Sequence, residues 1–574
     1  MKKIFITFLV VSFALSCDKD FTEIAPKGSL NSQALANEEG VDLLLIGAYS
    51  MLDGFRLGLS QDYRSSGDNW WFDVVSDDAH KGATNGDQNE IYLLEHFDWA
   101  TNNPYIRDEW IGPFAGVNRA NAVIALAITI EDVDLTRQIA EARFLRGHFN
   151  FELQRTFRNI PFISEEDLND PNKPNPGPIW DKIEEDFQFA IDNLPETQAE
   201  RGRANQWSAK AYLGKVYLYQ DKFSEAASLF QDVINNGPYA LNPEYVDNFN
   251  IKGESGPEAI FSIQFLNDAG DSYNGNRGGA LNHPGGGPLN TCCGFYQPSQ
   301  DLVNAFQTDN SGLPLLDTWN QTDVVNDQGL PSYKTDANGI PIVDADGNPV
   351  PTDFTVHAGP LDPRLDYTVG RRDIDFNGFG RNPGTAWVRV QSAGGPYLAS
   401  KNTYRASELE ARSTGGPWGQ DRSGINYNII RYADVLLMAA EALVETGDLP
   451  TALDYVNQVR NRAKNTTYVP TVPGINPTNY QIEPYPAFPD QDFARKAVRF
   501  ERRLELGMEG HRYFDLVRWG ILETTINTYF PNEERTIPGI NLGIPAQPRH
   551  NVFPIPIEAI DLSNNVLQQN PEWQ

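Results

Sequence analysis

The chain has 574 residues, 77 acidic and 46 basic, for a formal charge of −31. At 40% hydrophobic and 21% charged, with 47 Gly and 39 Pro, it reads as a folded, loop-rich protein too long for a single core, and disorder is excluded as its main state. So acidic a surface repels nucleic-acid phosphates and anionic lipid, so neither is an expected partner, and three cysteines are too few to staple the fold.

At the start, Lys2 and Lys3 precede an apolar run from Ile4 to Ser16. That run is shorter than the roughly 20 residues a bilayer span needs, but it has the length of a signal-peptide core, so residues 1–16 are read as a leader and the protein as exported. The run ends in Ala14-Leu15-Ser16-Cys17, which resembles a lipobox. In that motif the cysteine thiol is acylated and becomes the mature N-terminus, so Cys17 is the expected lipid anchor and residues 17–30 a tether. An ordinary cleaved signal with a chance cysteine is the alternative. No second hydrophobic span follows, and losing Lys2 and Lys3 with the leader makes the mature chain two charges more negative.

Next comes Asp68-Asn69-Trp70-Trp71-Phe72, followed by Ser76-Asp77-Asp78-Ala79-His80-Lys81-Gly82, aromatic rings beside polar groups. Val117 to Ile128 reads as a helix, and Ala142, Leu145, Phe149 and Leu153 form an apolar stripe on another. Residues 205–238 fit the 34-residue tetratricopeptide pattern: Leu213, Gly214 and Tyr217 in the first helix, Ala226 and Phe230 in the second, Pro238 at the close. Gly214 and Ala226 are small where the two helices approach most closely. Lys210 stands where the repeat favours tryptophan.

From 251 to 424 helical periodicity fades into RGGALNHPGGGPLN, DANGIPIVDADGNP, NGFGRNPGTAW and TGGPWGQ. Asn338-Gly339 and Asp346-Gly347 flank Ile340 to Val343, the signature of consecutive hairpin turns. Long loops on a rigid body commonly carry binding function. Tyr273, Tyr296, Trp319, Trp387 and Trp418 lie here, mostly beside Gly, Pro, Asn or Asp. A flat indole suits the C–H face of a pyranose, and polar neighbours can bond its hydroxyls. The expected ligand-binding set is therefore Asp68, Asn69, Trp70, Trp71, Asp78, Lys81, Tyr273, Tyr296, Trp319, Trp387 and Trp418, with core packing of Trp70, Trp71 and Phe72 as the bland alternative. A polyanionic ligand would instead need Lys81, Arg277, Arg371, Arg372, Arg381 and Arg389 to converge.

Helical signals return beyond 425. Tyr432, Val435, Leu436, Ala439, Ala440 and Leu443 share one face, Gly447 ends that helix, and Asp448 with Pro450 opens the next. Between Glu501 and Gly520, two charged helices carry Arg502, Arg503, Glu505, Glu509, Arg512, Asp515 and Arg518, read as internal ion pairs. The expected fold is mostly α: a tetratricopeptide-like helical-repeat scaffold over 31–250 and 425–574, with a loop-rich ligand-binding insertion at 251–424 and a few short β-hairpins.

Catalytic signatures are missing. No two histidines have HExxH spacing, and there is no Gly-x-Ser-x-Gly elbow or Walker loop. Asp344-Ala345-Asp346-Gly347-Asn348 begins like a calcium loop but lacks the glycine and glutamate that complete one, and reads as a turn. Cys292-Cys293 reads as a vicinal disulfide, buried thiols or, least of all, a nucleophile. No metal or cofactor is expected. A glycosidase carboxylate pair would be invisible among 77 acids.

The Cys17 motif, Ser76-Asp77-Asp78, AEARFLRGHFNFEL, Asn159-Ile160-Pro161, RYADVLLMAAEALVETGD, ERRLELGMEGHRYFDLVRWG and the closing Phe553-Pro554-Ile555-Pro556 together resemble the SusD/RagB family of outer-membrane lipoproteins of the Bacteroidota. The resemblance implies a lipid-anchored, surface-exposed, non-catalytic protein that captures oligosaccharides and delivers them to a SusC-like TonB-dependent transporter. It also implies a helical body with tetratricopeptide-like units and an irregular ligand side. A RagB-type peptide binder and a surface glycoside hydrolase are the alternative functions.

Overall fold

The computed structural model describes residues 35–54, 71–266, 276, 281–289, 293–401, 403–411, 413–414, 421–540 and 543–574. Its body is a series of packed helices: α1 (Glu38–Tyr49), α2 (Pro104–Ala127), α3 (Thr136–Phe157), α4 (Trp180–Asn193), α5 (Gln206–Leu218) and α6 (Phe223–Asn236). After the insertion come α7 (Tyr432–Thr446), α8 (Leu449–Asn465), α9 (Gln491–Leu506), α10 (Arg512–Arg518) and α11 (Leu522–Glu533). Each helix from α1 to α8 packs on the next, and α9 packs on α7, so α6 meets α7 directly although more than 190 residues separate them in sequence. Among the described residues no helix is long and apolar enough to cross a membrane.

Local chemistry sets the ends and spacing of these helices. Asn205 caps α5, its Oδ1 accepting from the Ser208 amide at 2.8 Å while the Ser208 hydroxyl accepts from the Asn205 amide at 2.9 Å. Asp448 caps α8 by accepting from the Thr451 amide, one residue after Gly447 closes α7 with φ +91°. Close approach between neighbours rests on a recurring pair, a glycine facing a phenylalanine ring: Gly116 with Phe149, Gly147 with Phe187, Gly214 with Phe230. A Cβ at Gly214 would lie 2.7 Å from the Phe230 ring, which is why that repeat position is small. Lys210 reaches Asp232 at 2.7 Å, an ion pair across the α5–α6 hairpin where the repeat consensus has an aromatic contact.

Strands are few, short and antiparallel. β1 (Ala79–Gly82) pairs with β3 (Phe295–Pro298), β2 (Ala259–Ile263) with β8 (Tyr427–Arg431), β4 (Val369–Gly370) with β5 (Leu398–Ala399), and β6 (Ser413–Thr414) with β7 (Asp421–Arg422). The β2–β8 ladder is the neck of the insertion, with Ala259 opposite Arg431, so the chain leaves and re-enters the helical body at one point. Two satellite apolar clusters support the loops outside the main core; one of them joins Leu289, Phe376, Val388, Leu398, Tyr404 and Ile425.

Charge is buried where the loops meet the C-terminal helices. Glu501, Arg502, Arg503 and Glu505, on one stretch of α9, are each at most 4% exposed. Glu505 accepts from Arg431, Arg462 and Arg364, and Glu501 accepts from Arg460 and forms an ion pair with Arg364. Arg502 pairs with Asp434 and Asp515, while Arg503 bonds Asp78 at 2.8 Å and Asp301 at 2.7 Å. The sequence-based reading of this stretch as internal ion pairs therefore describes its geometry.

Beside this network, His80 is fully buried between Glu95 (3.0 Å) and Glu533 (2.9 Å). Burial alone would lower its pKa, but the hydrogen bonds to the two carboxylates outweigh that and raise it to about 9. A raised histidine pKa stabilises the fold fully below the unfolded value near 6.5, and this contribution disappears as pH rises through 9. The shift corresponds to about 3 kcal/mol. His80→Gln is expected to lower Tm strongly at pH 6, with the gap to the unmodified protein closing as pH is raised towards 10; calorimetric scans across that range check it, and a gap independent of pH would refute it.

Candidate functional site

The aromatic and polar groups singled out in the sequence do not gather in one place. Trp71 is 4% exposed, stacked on Phe72 with ring centroids 3.8 Å apart and set edge-on to Phe553, so it belongs to the core. Asp78 is fully buried against Arg503. Lys81 is 1% exposed and donates to the carbonyls of Thr84 (2.8 Å) and Asp87 (2.7 Å); burial lowers its pKa to about 8. It ties a loop and does not face a ligand. Tyr296 is buried within β3 beside Phe295. Trp319 is half-buried, packed on Phe500, with the Arg503 guanidinium 5.0 Å from its ring, so it covers the ion network. Local composition placed these side chains at a surface because each sits beside polar residues in sequence; in the fold, aromatic packing buries Trp71 and Tyr296, backbone carbonyls hold Lys81, and Arg503 draws in Asp78 and Trp319. Cys17, Asp68, Asn69, Trp70, Tyr273 and Trp418 lie outside the described residues.

Trp387 is different. It lines a cavity of about 170 Å³ with Ser332, Tyr333, Pro351, Arg372, Asp373, Arg381 and Pro383. The run Gly285-Gly286-Gly287 explains its seat. A Cβ at Gly287 would lie 2.5 Å from the indole, and Cβ atoms at Gly286 and Gly285 would strike the backbone at Ala386 and the Arg389 side chain. Gly287 also has φ +81°, a conformation other residues resist. Phe376 meets the indole at 6.0 Å and 69°, fixing its tilt from the satellite core. One aromatic face is thereby held on backbone.

The polar floor comes from 371–384. Asp373 is 1% exposed, and its Oδ1 accepts from Arg381 Nε at 2.7 Å while its Oδ2 has no partner. A buried carboxylate oxygen left unpaired costs roughly 1–3 kcal/mol. The Asp373 backbone has φ +66°, in the left-handed region that costs a non-glycine residue about a further 1 kcal/mol. Arg372 donates to the carbonyls of Pro331, Ser332 and Thr352 and faces Asp327 at 3.5 Å. Burial raises the Asp327 pKa to about 6 against the opposing pull of Arg372. A left-handed backbone and an unpaired buried carboxylate oxygen thus fall on one residue that lines the same cavity as Trp387.

Charge in this cavity is balanced. Arg372 pairs with Asp327 and Arg381 with Asp373. The other cations considered in the sequence go elsewhere: Arg371 to Asp366 (2.7 Å), Arg389 to Asp87 (2.7 Å) and Lys81 to carbonyls, while Arg277 lies outside the described residues. Among the described ones no basic pocket forms. Cys293 is disulfide-bonded, which removes it as a thiol nucleophile. Sequence reasoning missed Tyr333 and Asp373, since a tyrosine before a turn and an aspartate after two arginines carry no periodic signal. Among the described residues no group of three or more His, Cys, Asp or Glu is placed to hold a metal.

Larger cavities differ in make-up. One of about 310 Å³ beside α1 sets Tyr49 and Phe265 among Asp53, Glu200, Arg203 and Gln264, one of about 430 Å³ between α2 and residues 161–173 is mostly apolar, with Trp110 and Phe114 beside Asn118, Asn172 and Lys173, and one of about 550 Å³ around Lys252 and Arg405 has no aromatic wall.

Over 579 residues the chain is 24% identical to SusD-like protein P25 of Formosa agariphila, covering 98% of this chain and 97% of that protein. It is also 24% identical over 459 residues to a SusD-like protein of Bacteroides ovatus, covering 74% and 68%. Among solved structures, a laminarin-binding SusD-like protein superposes with a TM-score of 0.63 at 22% identity, over 93% of this chain and 99% of that one. Surface glycan-binding protein A of Bacteroides thetaiotaomicron, in complex with laminarihexaose, does so with a TM-score of 0.63 at 20% identity and the same coverage. These likenesses establish the helical-repeat fold. A family model described as starch-binding, associating with the outer membrane, matches residues 21–218, and the SusD family model matches residues 257–573. The chain belongs to the SusD family.

Proposed function

We propose that this protein is a non-catalytic, lipid-anchored glycan binder on the outer face of the outer membrane, which captures oligosaccharides and passes them to a SusC-like TonB-dependent transporter. The observation that carries the binding role is the Trp387 cavity: an indole seated on Gly287, Tyr333 in the same lining, and an unpaired buried acceptor on Asp373. An indole covers the apolar face of a pyranose, and a carboxylate oxygen without a partner accepts from a ring hydroxyl. The paired arginines leave no net positive charge for a carboxylated or sulfated sugar, which favours a neutral glycan. Hydrolysis of a glycoside calls for two carboxyl groups flanking the bond, and a single one lines this cavity. The glycans named for the solved relatives, laminarin and laminarihexaose, are the first to test, with starch from the family description.

Affinity electrophoresis through laminarin, starch and alginate, followed by titration calorimetry, is expected to show retention by a neutral polysaccharide, none by alginate, and no new reducing ends after prolonged incubation. Released sugars would overturn the non-catalytic reading, and binding of peptides alone would replace the glycan. Trp387→Ala is expected to cost about 2 kcal/mol, roughly 30-fold in Kd. Gly287→Ala, which displaces the indole without removing it, is expected to approach the same loss.

Asp373→Gly separates binding from stability. It relieves the left-handed strain and deletes the unpaired oxygen, so Tm is expected to hold or rise while affinity falls at least about tenfold. A fall in both would mean that Asp373 serves only the fold.

A further inference from the structure

The cavity is smaller than the roughly 300 Å³ at which pockets for drug-sized ligands begin, so it holds about one ring of an oligosaccharide and the rest must lie outside. At its mouth stands an unusual element. Residues 335–342 and 343–350 are a tandem octapeptide, Thr-Asp-Ala-Asn-Gly-Ile-Pro-Ile followed by Val-Asp-Ala-Asp-Gly-Asn-Pro-Val. Each copy makes the same turn. Asp336 Oδ1 accepts from the amides of Asn338 and Ile340, and Asp344 Oδ1 from those of Asp346 and Asn348, all at 2.8–2.9 Å, with Gly339 and Gly347 at φ +80° and +85°. Three short segments close on one another: Lys334 donates to Val350, Val350 to Ile342 and Ile342 to Lys334, at 2.8–2.9 Å. The chain thus builds a rigid arm that carries no core of its own. Every residue from 335 to 349 is exposed, including Ile340 (60%), Ile342 (44%) and Val343 (54%).

The root of this arm is part of the cavity. Ser332, Tyr333 and Pro351 line it, and Arg372 clamps both root strands through the carbonyls of Pro331, Ser332 and Thr352. The Ala386 amide donates to the Ser332 hydroxyl at 2.7 Å, fixing the root to the segment that bears Trp387. Arm and indole are therefore set at one relative orientation. Aliphatic side chains beside Asn338, Asp346 and Asn348 offer C–H contact and hydroxyl partners together, and an element already rigid loses little entropy on binding.

The geometry points to the arm of residues 332–352 as a second contact surface for the glycan whose first ring occupies the Trp387 cavity, so that the arm makes affinity depend on oligosaccharide length. The inference rests on the glycan reading above and goes beyond it. Two variants test it: residues 336–348 replaced by Asn-Gly, which joins Thr335 to Pro349 and keeps the Lys334–Val350 bond, and the full-length triple substitution I340S/I342S/V343S. Both are titrated beside the wild type and W387A with laminaribiose and laminarihexaose, and with maltose and maltohexaose, after Tm confirms folding; if the shortened form unfolds, the triple variant decides.

The wild type is expected to bind the hexasaccharide at least about tenfold more tightly than the disaccharide. Both arm variants should keep the disaccharide affinity and bring the ratio to within about twofold, whereas W387A should lose both ligands. An undiminished ratio in the arm variants, or no length dependence in the wild type, overturns the inference while leaving the glycan reading standing. Loss of co-purification with the transporter and unchanged glycan titration would make the arm a protein-docking surface and likewise overturn it. If the wild type binds neither series nor any polysaccharide in the gel panel, the glycan reading itself fails.

Discussion

Between Glu501 and Glu505, one stretch of α9 sends charged side chains into the interior, where they are answered from several distant parts of the chain. Glu501 reaches α8 through Arg460, Arg502 reaches α7 through Asp434, and Arg503 reaches the loop before β1 through Asp78. Glu505 gathers Arg431 at the neck of the insertion, Arg462 on α8 and Arg364 within the insertion. Pairs as dry as these gain little over apolar packing, but deleting one partner leaves a buried charge and typically costs about 3–5 kcal/mol. Their effect is to fix register. Segments hundreds of residues apart have one arrangement in which every charge is met.

That constraint reaches the site. Arg364, held by Glu501, Glu505 and Asp362, sits at the start of a short helix whose end pairs through β4 with β5. The next residues are Arg371, tied to Asp366, then Arg372 and Asp373. The cavity floor is thus anchored to α9 through a few residues of well-bonded chain, which is how a loop can hold a left-handed aspartate without relaxing. The opposite wall is set independently by the glycine run under Trp387. A site assembled from two loops, each rigidly mounted, can pay its binding-entropy cost before the ligand arrives.

The acidic surface and the paired interior belong to one design. Positive groups near the cavity are already matched by carboxylates, so the ligand finds aromatic faces and hydrogen-bonding groups in place of net charge. Asp373 is the one carboxylate among the described residues that line the cavity.

Much of the scaffold was legible in the sequence, because helix faces, caps and close-packed glycines are local: the small residue at Gly214, the Asp448 cap and the α7 apolar stripe follow from spacing alone. The charged run at 501–520 was legible as internal pairing, and the family from its motifs. Of the side chains expected at a binding surface, Trp387 is the one that lines this cavity among the described residues. Trp71, Asp78, Lys81, Tyr296 and Trp319 have the composition of a binding surface but were drawn into the core or its ion pairs by partners far away in sequence. Conversely, Tyr333 and Asp373 acquire meaning only once Arg372 and Arg381 bring residues 332–351 and 371–384 to the same indole. Periodicity determines which residues form helices and which helix faces are buried; whether a polar loop residue meets solvent, a ligand or a buried counter-charge is decided by non-local contacts, and those exist only in the folded chain.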